Sequence, residues 1–255
     1  MRSHTRWLAP GLVGVFVLAA WVLTTSTGMI APFVLPDPCE VCQRIILGFT
    51  DGYLREASYQ TLSEAFLGCI VAGCIGVPLG CAMAHARLFS AAIHPYLAAS
   101  QAIPAVALAP LLVVWMGYGK APIVALCTLM VIFPIVITTT TGIRGIDPDV
   151  ICAARLDGAG GLRLLSSIEL PLAAPFIIAG LRNGFTLSIT GAVVGEMVIG
   201  GRNGLGIALS SAHHLNDLTG MFAVIAILAL IAVAIYVVIL AVENWTISIV
   251  TERSS

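Results

Sequence analysis

The sequence predicts an all-α integral membrane protein with six transmembrane helices. Apolar residues make up 59% of the 255 positions and charged residues only 10%, whereas soluble chains carry roughly 45 to 50% and ~25%. The apolar residues gather in long stretches with few charges, as expected where a charge at the centre of a spanning helix costs roughly 2.5 to 3.5 kcal/mol. No stretch shows the alternation of a membrane β-barrel strand, so every span is predicted to be a helix.

Six stretches are close to or longer than the ~20 residues that cross a hydrocarbon core. They are 8–27, 62–84, 93–116, 121–142, 172–199 and 220–242. The first follows Arg2 and Arg6 but has no clear cleavage site, so it is predicted to be an uncleaved anchor. The segment 28–61 contains several prolines and glycines and charges of both signs, which predicts an external loop with short surface helices.

The basic residues predict which side each loop occupies, because short loops rich in Lys and Arg stay in the cytoplasm. With both termini inside, seven are cytoplasmic: Arg2, Arg6, Arg87, Arg144, Arg155, Arg163 and Arg253. Four are external: Arg44, Arg55, Lys120 and Arg202. The net charge is −1 and no basic run is present, so a nucleic-acid partner is not expected.

A charged, glycine-broken hairpin precedes the fifth span. Asp147 and Pro148 predict a helix start, with Asp as the cap and Pro at the first helical position. Glycines then break that helix near Gly158, and a second short helix is predicted from Leu162 until Pro171 begins the fifth span. Two short helices at an angle would result, and a surface turn with an amphipathic helix on the lipid is the alternative.

The spacing Ala153-Ala154, Gly158, Ile168, Leu170-Pro171 resembles the EAA motif of permease subunits of bacterial ABC importers, with Cys152 in place of the usual Glu. Residues 57–206 also resemble the nitrate, sulfonate and taurine branch of that family, in the stretches 76–80, 103–111, 115–119 and 204–206. The branch includes permeases for pyrimidine precursors and riboflavin, which the stretch 190–197 resembles more closely.

The resemblance implies a type I ABC importer permease with a MetI-like fold in a bacterial inner membrane. Residues 1–56 would form an anchor helix and external loop, and 57–250 the permease domain. It further implies two cytosolic ATPase subunits, an external solute-binding protein and a second permease copy, expected to be identical. The chain has no G-x-x-x-x-G-K-[S/T] phosphate loop, so ATP is expected on the ATPase subunits, and neither a cofactor nor an enzymatic activity is expected here.

In the family the hairpin is the element that docks into the ATPase. The residues expected to couple the chain to that partner are Cys152, Ala153, Ala154, Arg155, Asp157, Gly158, Ile168, Leu170 and Pro171.

Three polar residues inside spans are candidates for the translocation path: Gln101, Thr190 and Glu196. A carboxylate within a membrane helix is a functional candidate by default, although a structural hydrogen bond from Glu196 to a neighbouring helix is an equal alternative. Membrane Thr residues also commonly satisfy their own backbone. If Glu196 lines the path, its charge favours a neutral or cationic organic solute.

Other readings of the sequence are weaker. Cys39 and Cys42 form a single external C-x-x-C, too little to predict a redox site, and no metal site is predicted. An intramembrane enzyme is disfavoured because no catalytic motif and no pair of carboxylates within spans is found. An ion-coupled secondary carrier is the alternative function, but it leaves the hairpin unexplained. The expected cargo is a small organic solute of vitamin-precursor, sulfonate, taurine or nitrate type.

Overall fold

A computed structural model describes the backbone of residues 3–28, 30–31 and 33–252, and the side chains of 12–28, 30–31 and 33–238. Within these residues all regular structure is helical. The α-helices are α1 (Ser3–Ser26), α2 (Pro38–Thr50), α3 (Tyr53–His85), α4 (Arg87–Ala102), α5 (Ala105–Met116), α6 (Lys120–Arg144), α7 (Pro148–Leu156), α8 (Gly161–Leu164), α9 (Leu170–Ile199), α10 (Leu205–His214) and α11 (Leu218–Glu252), with a π-helical turn at Leu165–Glu169.

The helices agree with an integral membrane protein. Among the described residues, α3, α6, the continuous helix Gly161–Ile199 and α11 are each long and apolar enough to cross a bilayer. The pair α4 and α5 passes as one further, broken span, and α1 covers the remaining predicted stretch, 8–27. The all-α fold class is therefore confirmed, and the count of six is roughly matched.

The predicted span 93–116 needs correction, because it is broken rather than continuous. Helices α4 and α5 meet at an angle of 101°. Ile103 is extended, with φ −81° and ψ 120°, since the ring of Pro104 disfavours helical backbone in the residue before it. A proline within a membrane helix commonly produces only a kink, but here the residues between the helices make a full corner.

Helices α3, α6 and α9 form the centre of the bundle and approach one another closely. A Cβ on Gly80 of α3 would lie 2.7 Å from Thr139 Cβ and 2.9 Å from the Val136 carbonyl oxygen. A Cβ on Gly184 of α9 would lie 2.6 Å from Val131 Cγ1. Small residues of this kind let membrane helices pack backbone to backbone, so these glycines fix α3 and α9 against α6.

The segment between the first two spans contains the surface helix that the sequence predicts. The Asp37 side chain caps α2 by accepting the Cys39 backbone N–H at 2.7 Å. Arg44 of α2 forms an ion pair with Asp217 at 2.6 Å, which ties α2 to the start of α11. Helix α3 begins at Tyr53, earlier than the predicted 62, and the division of the chain after residue 56 falls in its first turn.

Candidate functional site

A cluster of polar side chains lies at each end of the bundle. We call the end that carries α7, α8 and the π-turn the hairpin end; it also holds His85 and Arg144, the last residues of α3 and α6. The opposite end, which we call the glycine-turn end, holds the turn 200–204 between α9 and α10, together with the first turns of α3. Arg144 donates to the carbonyl oxygens of Met83 at 2.6 Å and Ala84 at 3.4 Å, and so closes the last turn of α3.

The first arm of the hairpin forms as the sequence predicts. The Asp147 side chain accepts the Asp149 backbone N–H at 2.9 Å, and Pro148 occupies the first helical turn of α7. At the other end, the Ala159 N–H bonds to the Ala154 carbonyl at 2.9 Å and the Gly158 N–H to the Arg155 carbonyl at 3.1 Å. This pair of bonds is a Schellman motif, which needs a left-handed residue after the helix.

Gly158 supplies that left-handed residue, with φ +85° and no atom within 4 Å of where its Cβ would be. The constraint on this position is therefore conformational and does not come from packing.

The second arm differs from the prediction. The chain is one continuous helix from Gly161 to Ile199, so the second arm is the first part of a long helix and not a separate short one, and Pro171 lies inside that helix. The Leu170 N–H bonds to the Leu165 carbonyl, five residues back. We attribute the wide turn to Pro171, which has no N–H and whose ring would clash with the carbonyl four residues earlier in a regular α-helix.

The hairpin presents unburied apolar side chains. Helix α7 has no buried residue, and Leu156 and Leu162 are 90% and 82% exposed. Among the predicted coupling residues, Cys152, Ala153, Arg155, Asp157, Gly158 and Pro171 are exposed, and Ala154, Ile168 and Leu170 are partly buried. The structure thus brings together the Cys152 to Gly158 group on one protruding arm, whereas Ile168, Leu170 and Pro171 lie at the base of α9.

One residue of this region was not singled out by sequence reasoning. Glu169, the last residue of the π-turn, is 5% exposed, and its Oε2 lies 2.9 Å from His85 Nε2 of α3. In the sequence, Glu169 stands out only as a carboxylate two residues before Pro171, at the edge of a predicted span. The contact joins the base of the hairpin to the end of α3.

The predicted path residues do not all meet. Gln101 is exposed and lines a groove of about 210 Å³ with Pro104, Met130 and Leu187. Thr190 is exposed one turn beyond Leu187, and its hydroxyl donates weakly to the Thr186 carbonyl at 3.4 Å. Gln101 and Thr190 therefore lie on neighbouring parts of one surface.

Glu196 faces a different direction. It follows Thr190 by six residues, a rotation of about 240° around the helix axis, and it is 1% exposed. Its Oε1 accepts from the Thr61 hydroxyl of α3 at 2.7 Å, and its Oε2 accepts from the Gly206 N–H of α10 at 2.6 Å. Thr61 in turn accepts the Leu205 N–H at 2.8 Å. Glu196 thus joins three helices at the glycine-turn end.

A second carboxyl group adjoins this network, contrary to the prediction that no two carboxylates pair within spans. Glu64 of α3 is also 1% exposed, accepts from Gln60 Nε2 at 2.5 Å, and lies close enough to Glu196 for the two carboxyl groups to interact electrostatically. Glu64 falls inside the predicted span 62–84, so the second carboxyl group is visible in the sequence, but its proximity to Glu196 is not.

The remaining charge within the fifth span, Arg182, lies over the Tyr236 ring of α11, with Cζ 5.5 Å from the ring centroid. Cys39 and Cys42 are exposed on α2 as free thiols. Among the residues whose side chains are described, no cluster of three or more His, Cys, Asp or Glu side chains could hold a metal ion.

An apolar bundle with a protruding hairpin at one end defines a multi-pass membrane transport component. Residues 76–247 match the family of binding-protein-dependent transport system inner membrane components, and the chain belongs to this family. It is therefore the permease subunit of a binding-protein-dependent ABC importer for small solutes, located in the inner membrane, and it is the transport component and not a catalytic subunit.

The curated relatives transport several solutes. The chain is 39% identical to the riboflavin transport system permease protein RibX of Chloroflexus aurantiacus, over 93% of this chain and 90% of that protein. It is 30% identical to the formylaminopyrimidine transport permease protein ThiX of Halalkalibacterium halodurans, over 96% of both chains. It is 28% identical to the taurine transport system permease protein TauC of Escherichia coli, over 91% and 88%.

Among solved structures, an inward-facing conformation of the MetNI methionine ABC transporter superposes with a TM-score of 0.68 at 19% identity, covering 76% of this chain and 95% of that chain. This similarity confirms the MetI-like fold.

Replacing Thr61 by Val tests whether the network at the glycine-turn end stabilises the fold. Val has nearly the shape of Thr but leaves the Leu205 N–H without its acceptor and Glu196 Oε1 without its donor. We expect the substitution to cost about 1 to 3 kcal/mol, seen as a lower midpoint of thermal unfolding in detergent.

The matched control is Ser63→Ala in the same helix, because the Ser63 hydroxyl donates only to the Gln60 carbonyl in its own turn. Equal midpoints for the two variants would contradict a stabilising role for the network.

Proposed function

We propose that this chain forms the translocation path of an ATP-driven importer whose cargo is a small planar nitrogen heterocycle, such as a flavin or a pyrimidine vitamin precursor. The riboflavin and formylaminopyrimidine permeases are more similar to the chain than the taurine permease is. A sulfonate, taurine or nitrate cargo is the less supported reading. In this proposal an external solute-binding protein delivers the cargo to the glycine-turn end.

The exposed hairpin is the observation that carries the coupling part of the proposal. Leu156 and Leu162 are exposed, and leaving such apolar side chains in water is unfavourable. The hairpin is therefore suited to bind the surface of a partner protein. We assign that partner as the cytosolic ABC ATPase, which binds the ATP. Cys152 cannot supply the ion pair of the usual Glu, so the contact relies on apolar packing and on Arg155 and Asp157.

The orientation follows from the same assignment. The hairpin end is then cytoplasmic, and the glycine-turn end with α2 and α10 is external. Both termini lie inside if α1 crosses the membrane once as an anchor. In this division residues 1–56 are the anchor and external loop, and 57–250 the permease domain.

The path itself is proposed along the exposed face of α9 that carries Thr190. Asn183, Thr186 and Thr190 are exposed and follow one another at spacings of three and four residues, so they form one polar stripe on a membrane helix. A polar stripe is unfavourable against lipid tails and favourable along a water-filled path. We therefore place a second, identical copy of the chain opposite this stripe, with Gln101 at its edge.

Glu196 has a supporting role in this scheme. Because it is buried between α3, α9 and α10, we propose that it positions the glycine turn at the outer end of the path and does not contact the solute directly.

Uptake by the reconstituted importer tests the proposed function. The permease, the ATPase and the binding protein encoded beside it are placed in proteoliposomes, and uptake of riboflavin, formylaminopyrimidine and taurine is measured with and without ATP. We expect ATP-dependent uptake of one heterocycle to exceed that of taurine at least about tenfold, a difference of ~1.4 kcal/mol.

Preferred uptake of taurine would refute the proposed cargo. Uptake that needs an ion gradient and no ATPase would instead favour a secondary carrier.

Gly158→Val tests the hairpin as the coupling element. A β-branched residue in the left-handed region costs about 1 to 3 kcal/mol and should open the Schellman turn. We expect uptake to fall several-fold while ATP hydrolysis persists and the amount of protein in the membrane is unchanged.

Gly160→Val is the control, since Gly160 is extended at φ −147° and ψ 160° and also has open space around it. If both variants transport like the wild type, the turn has no role in coupling.

Two native cysteines test the orientation. Cys39 of α2 and Cys152 of α7 are both exposed, and variants that keep only one of them can be treated with a membrane-impermeant maleimide. In spheroplasts we expect Cys39 to react and Cys152 to be protected. In inside-out vesicles the pattern should reverse. Binding of the ATPase to these vesicles should slow the labelling of Cys152. Reaction of Cys152 from outside would invert the topology.

A further inference from the structure

An ion pair between His85 and Glu169 joins the base of the hairpin to α3. His85 Nε2 and Glu169 Oε2 are 2.9 Å apart, and the two side chains are 50% and 6% exposed. Glu169 lies between the hairpin and α9, and His85 is the last residue of α3. The contact therefore adds a polar link between these two elements.

The contact is an ion pair and not a well-aligned hydrogen bond, because Glu169 Oε2 has no hydrogen-bond donor in suitable geometry among the residues whose side chains are described. His85 Nδ1 lies 2.8 Å from the Cys81 carbonyl oxygen, which can only accept, so Nδ1 carries a hydrogen. In a neutral ring Nε2 would then be a bare acceptor facing a carboxylate, and the two would repel. The short distance is therefore favourable when the imidazole is protonated and attracts the carboxylate by charge.

Helix α3 connects this contact to the other end of the bundle. From His85 the same helix runs to Thr61, a distance of about 36 Å at 1.5 Å per residue. At that end α3 holds the glycine turn through Thr61, which accepts the Leu205 N–H, and through Glu56, which accepts from Asn203 at 3.4 Å. One helix therefore has polar contacts to the hairpin base at one end and to the glycine turn at the other.

We propose that the Glu169–His85 pair is a positioning contact for transport: it makes α3 follow the hairpin, so that movement of the hairpin reaches the glycine turn through α3 as well as through α9. This inference rests on the proposed coupling of the hairpin to an ATPase. It assigns to Glu169 and His85, neither of which belongs to the predicted motif, a role in opening the outer end.

The alternative is a purely structural pair, because a buried carboxylate needs a partner whatever its function. The two roles differ in what they predict for the assembled importer. A structural pair affects the amount and stability of the protein. A positioning pair affects how much solute moves for each ATP hydrolysed, and whether the glycine turn responds to ATP.

The test uses the complete importer in proteoliposomes, with ATP hydrolysis and uptake measured together. His85→Ala removes the contact at its half-exposed side, which limits damage to folding. We expect the ATP hydrolysed per solute to rise at least about fivefold, the low end of coupling effects between distant sites. His85→Arg, which can still donate to Glu169, should restore much of the wild-type ratio, and His94→Ala, an exposed histidine of α4, is the control.

Amide hydrogen exchange supplies the second readout. On adding ATP, the wild type should change its exchange both in the hairpin, 148–164, and at Leu205 and Gly206, whose N–H groups bond to Thr61 and Glu196. In His85→Ala the hairpin response should persist, as should the response at Gly206, whose N–H bonds to Glu196 of α9. The response at Leu205, whose N–H bonds to Thr61 of α3, should be reduced.

The outcomes separate the two proposals. If the wild-type assembly shows no ATP-driven uptake, the proposed function fails. If it transports and His85→Ala matches it in both the ATP-to-solute ratio and the exchange at Leu205, the positioning role is overturned. A variant that loses uptake, hydrolysis and thermal stability together, and that His85→Arg does not restore, would show the pair to be structural only.

Discussion

Close packing of α3 and α9 against α6 is the constraint on which the rest of the structure depends. Inside a bilayer the hydrophobic effect does not drive helices together, so association relies on van der Waals contact and on interhelical hydrogen bonds. Gly80 and Gly184 bring the helix backbones close enough for both. At this separation Thr140 of α6 can donate to the Gly80 carbonyl at 3.1 Å and Ser188 of α9 to the Ala65 carbonyl at 2.6 Å.

A tightly packed centre makes the two ends mechanically dependent on each other. Packed interiors resist compression and transmit strain, so a displacement at the hairpin is not absorbed within α3, α6 and α9. Each end of these helices carries a cluster of polar side chains: Arg144, His85 and Glu169 at one, Thr61, Glu64 and Glu196 at the other. The close packing between the ends supplies rigidity, and the polar clusters supply directed contacts that are either bonded or broken.

The sequence predicts local features well where a single residue fixes the backbone. Asp147 with Pro148 predicts the start of α7, and the glycines after Leu156 predict its end, because a cap and a left-handed turn depend on neighbours in the chain. The spans are predicted because their apolar length is itself the physical requirement. The fold class and the family follow from these features and from the spacing of the hairpin motif.

Features that depend on distant residues are not predicted. The 101° corner between α4 and α5 depends on what packs around Pro104, and the π-turn depends on how the helix accommodates Pro171. The partners of Glu196 belong to α3 and α10 and lie 135 and 10 residues away from it in the sequence. Glu169 contacts His85 although α4, α5, α6 and most of the hairpin separate them along the chain. No pattern within one helix specifies these pairs, so the sequence left open whether Glu196 lines the path with Thr190 or bonds to a neighbouring helix.

The most direct measurement of the central claim is a structure of the assembled importer determined both without nucleotide and with ATP bound. The account predicts that the ATPase covers Leu156 and Leu162 in both states, and that α3 and α9 shift together so that the turn at 200–204 moves relative to the second copy. A hairpin that is bare in solvent in both states, or an outer turn that moves while α3 and the hairpin stay fixed, would contradict it.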